Sequence, residues 1–61
     1  MLIRAVEKFL RDNGIPATRF GRESVRDPRL VFDLRQGREP GERIRRQIEH
    51  FMNTYRRSAG Q

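Results

Sequence analysis

The sequence predicts an all-α fold, a compact bundle of about four helices, on three observations. Apolar residues recur at i, i+3, i+4 and i+7 spacing along the chain. Gly14, Gly37 and Pro40 stand where those stripes end, and Pro16 and Pro28 where they begin. With 61 residues, the chain has room for a single core only. The domain is expected over 1–57, with 58–61 as a frayed tail.

The first helix covers residues 1–12. Leu2, Val6, Phe9 and Leu10, with Ile3 alongside, form a buried stripe. Arg4, Glu7, Lys8 and Arg11 cover the wet side, where Glu7 and Arg11 make an i, i+4 pair. Asn13-Gly14 ends the helix, with glycine at the left-handed position. This helix reads as scaffold.

The second helix runs over about residues 16–24, and Pro16 suits its first turn because the missing amide is not needed there. Phe20 is its core residue. Gly21 follows inside the helix, where glycine costs roughly 1 kcal/mol relative to alanine. Close approach of another helix supplies a reason for it.

The third helix spans 28–36. Asp27 offers a side-chain oxygen to the orphan amides and Pro28 presets the first helical φ. Leu30, Val31 and Leu34 make one apolar stripe. Arg29, Phe32, Asp33 and Gln36, at i, i+3, i+4 and i+7, make a second face on the opposite side. Gly37 ends the helix and Pro40 prevents a restart.

The fourth helix, 41–57, is the longest. Ile44, Ile48, Phe51, Met52 and Tyr55 form a stripe that can cover the other helices. A helix this long on so small a body makes Phe51, Met52 and Tyr55 the candidate dimer contacts. His50 lies beside the stripe, and a lone histidine in that place reads as a surface or satisfied polar residue.

Composition narrows the function. Net charge is +6 and pI about 11.5, which favours a polyanionic partner. Of the fourteen Lys and Arg residues, all but Lys8 are arginine. Arginine binds guanine edges and phosphates in bidentate fashion, although a GC-rich genome would also enrich it. There is no cysteine, so no disulfide or thiolate metal site. No apolar run exceeds the length of 30–32, too short to cross a membrane, and residues 1–10 lack the apolar segment of a secretory leader.

The run Gly14-Ile15-Pro16-Ala17-Thr18-Arg19-Phe20-Gly21, followed by Val31, Leu34, Gly37 and Pro40, resembles the phage-repressor (lambda-repressor/Cro-like) helix-turn-helix family over residues 14–40. There a glycine and an apolar residue precede a helix with a large apolar residue followed by a small one. An apolar anchor follows at the spacing of Val31. The chain departs from that pattern at Pro16, where the family carries Ser or Thr, and at Val25-Arg26, where it carries glycine then an apolar residue. Val25 then reads as the turn's core plug and Arg26 as exposed, or else the turn is longer and the third helix starts later.

The resemblance implies double-stranded DNA as partner and roles for individual residues. Arg29, Phe32, Asp33 and Gln36 would face the major groove. Arg29 is the candidate for guanine O6 and N7. Phe32 would pack on a thymine methyl, or serve core or dimer interface instead. Asp33 would accept from cytosine N4 or pair with Arg29. Thr18 and Arg19 in the first turn of the second helix, Arg26 in the turn, and Arg35 and Arg38 around Gly37 are phosphate candidates.

The expected function is therefore that of a small sequence-specific transcriptional regulator of repressor type. It would read DNA with helix 28–36 as a homodimer on an inverted repeat, in the cytoplasm at the nucleoid. The alternative is a basic interaction module that binds an acidic protein or an anionic membrane surface through helix 41–57. An enzyme is not expected: no catalytic residues, metal ligands or cofactor site are discernible, nor a small-molecule ligand.

Overall fold

The computed structural model describes residues 1–59, with side chains through Tyr55. It is all-helical, with elements α1 (Leu2–Asn13), α2 (Ala17–Val25), α3 (Leu30–Arg35) and α4 (Glu42–Ala59). Gly60 and Gln61 of the expected tail lie outside the described residues.

The apolar stripe of α1 does what its spacing predicts. Val6 and Leu10 are buried, with Leu2, Ile3 and Phe9 half-buried beside them. Gly14 closes the helix at φ 63°, and the Ile15 amide donates back to the Leu10 carbonyl at 3.0 Å. The Gly14 amide reaches the same carbonyl, and this shared closure places Ile15 in the core.

Ala17 opens α2 after Pro16, whose backbone is extended. Phe20 is completely buried and Gly21 is buried beside it. The helix persists through Val25 and ends on Arg26, which is left-handed at φ 60° although it is not glycine. Its amide donates to the Arg22 carbonyl, and the Asp27 amide reaches back to the Gly21 carbonyl, each at 3.0 Å. Val25 packs half-buried against the core while Arg26 is exposed.

A side chain in the left-handed region costs roughly 1–2 kcal/mol through Cβ crowding, which glycine avoids. Arg26→Gly should therefore stabilise the domain by about 0.5–1 kcal/mol, after allowance for the greater freedom glycine gives the unfolded chain. Thermal melting checks this. A gain of roughly 2–8 °C is expected, and an unchanged or lower Tm would show that the Arg26 side chain itself supports the fold.

The third helix starts later than its sequence suggests. Asp27 does accept through Oδ1 from the Arg29 amide at 3.0 Å, but its carbonyl also takes the Leu30 amide at 3.1 Å. Residues 27–30 thus form a side-chain-closed turn, and α3 begins at Leu30 instead of residue 28. The turn between α2 and α3 is the longer one. At its other end α3 stops at Arg35, and the helical exit has two backbone bonds. Gly37, at φ 92°, donates to Leu34, and Arg38 donates to Asp33, each at 3.1 Å. This pairing of bonds is a glycine-centred stop.

Leu30, Val31 and Leu34 bury the inner side of α3. Ile48 of α4 is completely buried, and Ile44, Phe51, Met52 and Tyr55 pack around it. Phe9, Phe20, Phe51 and Tyr55 meet edge-to-face or tilted. Phe20–Phe51 centroids are 5.3 Å apart and Phe9–Tyr55 5.4 Å. This aromatic cluster ties α4 to α1 and α2, a geometry worth about 0.5–1.5 kcal/mol per pair beyond burial. No described helix is long and apolar enough to cross a membrane.

Candidate nucleic-acid interface

The outward face of α3 is set by its inward one. With Leu30, Val31 and Leu34 fixed in the core, Arg29, Phe32 and Gln36 must point away from it, and all three are exposed. Arg29 stands at the start of α3, where its carbonyl takes the Asp33 amide at 2.9 Å. Among the described residues no side-chain partner neutralises its guanidinium. Phe32 remains 42% exposed, so it is not a core residue. Asp33 is half-buried, and its nearest cation is Arg38 at 4.0 Å, in place of the Arg29 pairing its spacing suggests. The backbone register of that pair is helical, so the side chain of Arg38, and not an altered spacing, accounts for the partner Asp33 takes.

The candidate phosphate ligands are not equivalent. Thr18 and Arg19 are both exposed on the first turn of α2. Arg19 Nε donates to Glu23 at 2.9 Å, and this partner raises the guanidinium pKa further above its ordinary value. That pair is solvent-exposed and adds little, so an incoming phosphate can displace it. Arg26 carries no ion-pair partner among the described residues and extends from the turn that joins α2 to α3. Among the described residues Arg38 is held only by the long contact to Asp33.

Arg35, a phosphate candidate from its position, already has a partner in the fold. Its Nε donates to Glu7 Oε2 at 2.8 Å and its Nη2 donates to Glu7 Oε1 at 2.9 Å, a two-pronged bridge from α3 to α1. Its guanidinium carbon also lies 5.7 Å from the centroid of the Phe32 ring. The hydrogen bond from Arg35 holds the Glu7 carboxyl below its ordinary pKa, and Arg11 adds a smaller attraction. Glu7 therefore pairs across the fold and not along its own helix, where Lys8–Asp12 at 2.9 Å is the i, i+4 pair. Glu7 flanks the buried Val6. That boundary place on the helical wheel was the available signal that it could meet a neighbouring element.

Phe51, Met52 and Tyr55, the candidate dimer contacts, all pack against the chain's own core and keep only part of their surface. A shallow groove of about 280 Å³ lies elsewhere, between Met1, Leu2 and Ile3 of one segment and Leu34 and Pro40 of another. Among the described residues no cluster of His, Asp or Glu could hold a metal ion.

What the arrangement offers chemically is an exposed outer side of α3 with Arg29, an aromatic ring and an amide, preceded by a turn that exposes Arg26. Comparison with family models, with curated proteins and with solved structures returned no match.

Proposed function

We propose that this chain is a small sequence-specific DNA-binding regulator of repressor type, with α2, the turn and α3 acting as a helix-turn-helix. The observation that carries the reading is the exposed outer side of α3, from which Arg29, Phe32 and Gln36 project, with Arg26 exposed in the turn that precedes it. Guanidinium and amide groups supply the donors that major-groove base edges accept, and an exposed aromatic supplies an apolar contact for a thymine methyl. Net charge of +6 favours the encounter with a polyanion. Thr18 and Arg19 at the start of α2, with Arg26 and Arg38, would hold the backbone phosphates. As a homodimer on an inverted repeat, two such surfaces would meet half-sites about 34 Å apart. The remaining exposed surface of Phe51, Met52 and Tyr55 is where the second copy would pack.

Binding through α4 to a membrane or acidic partner has less support, because the apolar stripe that such binding needs packs inward.

Selection from a random duplex library, followed by footprinting of the enriched site, tests this reading. Arg29→Ala should then weaken binding to the selected site by about 1–3 kcal/mol while changing binding to random duplex little. Equal losses on both would make Arg29 a phosphate contact. Failure to enrich any site, with a steep salt dependence on all DNA, would reduce the chain to a nonspecific basic protein.

A further inference from the structure

The Glu7–Arg35 bridge is difficult to explain as a stabilising device. Both side chains keep about two fifths of their surface in solvent, 39% and 43%, and ion pairs so exposed to water add little stability. Arg35 is a poorer phosphate anchor than Arg19, because Glu7 holds Arg35 by two bonds where Glu23 holds Arg19 by one, and the carboxylate offsets the guanidinium charge. A neutralised arginine adds little to the counterion release that drives nonspecific binding.

What the bridge does fix is direction. Glu7 occupies one edge of the guanidinium, the one formed by Nε and Nη2. Among the described residues nothing occupies the other edge, formed by Nη1 and the second hydrogen of Nη2. The plane is steadied by the Phe32 ring, which itself belongs to the exposed face of α3. An arginine with one edge buttressed by a carboxylate presents a pre-aimed pair of donors on the other. Such a pair matches the two adjacent acceptors of a guanine, O6 and N7, and binding then loses less side-chain entropy than a free arginine would.

We propose that Arg35 is a specificity-determining residue that reads a guanine in the major groove, and that Glu7 of α1 is its positioning residue. This rests on the DNA-binding reading above and goes beyond it: α1 becomes part of the reading apparatus and not scaffold alone.

The test uses the site selected by the full chain and replaces each guanine in turn by 7-deazaguanine, which lacks the N7 acceptor. Two positions should be sensitive, one to Arg29 and one to Arg35. Arg35→Ala should lose about tenfold in affinity on the unmodified site, and then lose nothing further when the guanine it reads is modified. Binding to random duplex should stay within about twofold and the salt slope should not change. Glu7→Ala should reproduce most of the loss at that same guanine, while Glu7→Gln, which keeps one acceptor, should retain part of the wild-type affinity. Arg35→Lys, which preserves charge but not the fork, should behave as Arg35→Ala, and circular dichroism confirms that each variant is folded.

Several results would overturn the assignment. Equal loss on selected and random DNA with a shallower salt slope would make Arg35 a phosphate contact. Tighter binding by Glu7→Ala would make Glu7 a competitor for the arginine. A wild-type scan with no N7-sensitive guanine beyond the one lost with Arg29 would also remove it, and needs no variant to fold. These outcomes leave the DNA-binding reading standing. Failure to select any site would end both.

Discussion

Val31→Asp should leave no folded domain, whereas Phe32→Asp, one residue along, should fold like the wild type. Val31 is completely buried, and the core around it contains no buried polar or charged side chain among the described residues. A carboxylate placed there would have no partner and would face the several kcal/mol that an unpaired buried charge costs. A single core in a chain of this size supplies only about 3–5 kcal/mol of net stability. The penalty is therefore of the same size as the whole stability. Phe32 is 42% exposed and packs against the solvent-exposed Arg35 guanidinium, so its replacement removes a screened surface contact and buries no charge. Far-UV circular dichroism with a urea titration separates the two variants. A folded Val31→Asp with an unchanged midpoint would mean that the inner and outer faces of α3 are reversed, and Arg29 would then point away from any ligand. Phe32→Asp gives the complementary result. If the outer face reads DNA, this folded protein should bind the selected site poorly, because the added carboxylate meets phosphate and base acceptors.

The faces of the helices were legible in the sequence because periodicity measures which residues lie together on one surface. Val6 and Leu10, Phe20, the Leu30-Val31-Leu34 stripe and Ile48 all occupy the core their spacing assigns. Helix ends marked by glycine were equally legible, since Gly14 and Gly37 take the left-handed conformation that few other residues accept. The start of α3 was not. Asp27-Pro28 has the composition of a helix start, but the same Asp oxygen can close a turn, and here it bonds the Arg29 amide and delays the helix. Local chemistry alone cannot choose between the two. The contact of the preceding helix with the turn decides it, and that contact is tertiary. The partners of the charged groups were the least legible. Sequence spacing suggests Glu7 with Arg11 and Asp33 with Arg29. The structure joins Glu7 to Arg35, 28 residues away, and places Arg38 nearest Asp33. A surface carboxylate has several cations within reach, and the fold, not the interval along the chain, selects among them. For the candidate site this means that the sequence supplied its residues, while the distinction between free Arg29 and tethered Arg35 came only from the packing of α1 on α3.

Gly21→Ala should lower stability by about 2 kcal/mol, even though alanine is the better helix former. The propensity gain is roughly 1 kcal/mol. Against it stands a steric conflict. A Cβ built on Gly21 overlaps the Asp27 carbonyl oxygen outright, and it lies 3.3 Å from the Asp27 carbonyl carbon and 3.1 Å from the Leu30 Cβ. Relief by a rotating side chain is not available, because the obstacle is backbone. The same Asp27 carbonyl accepts from Leu30 at 3.1 Å, and the Asp27 amide donates to the Gly21 carbonyl at 3.0 Å, so the turn is tied to both helices it connects. Overpacking typically costs about 1–3 kcal/mol and occasionally more, and a rigid neighbour places this case at the upper end. The net loss should appear as a fall in Tm of roughly 10 °C. The consequence extends to the outer face. To admit the methyl group, the turn and the first residues of α3 must move away from α2, and Arg26 and Arg29 move with them. Under the DNA-binding reading, the surviving folded fraction of Gly21→Ala should therefore lose affinity for the selected site more than for random duplex, because base contacts depend on register where phosphate attraction does not. An alanine variant more stable than the wild type would show that α2 and the turn are not in close contact, and the position of Arg29 would lose its structural basis.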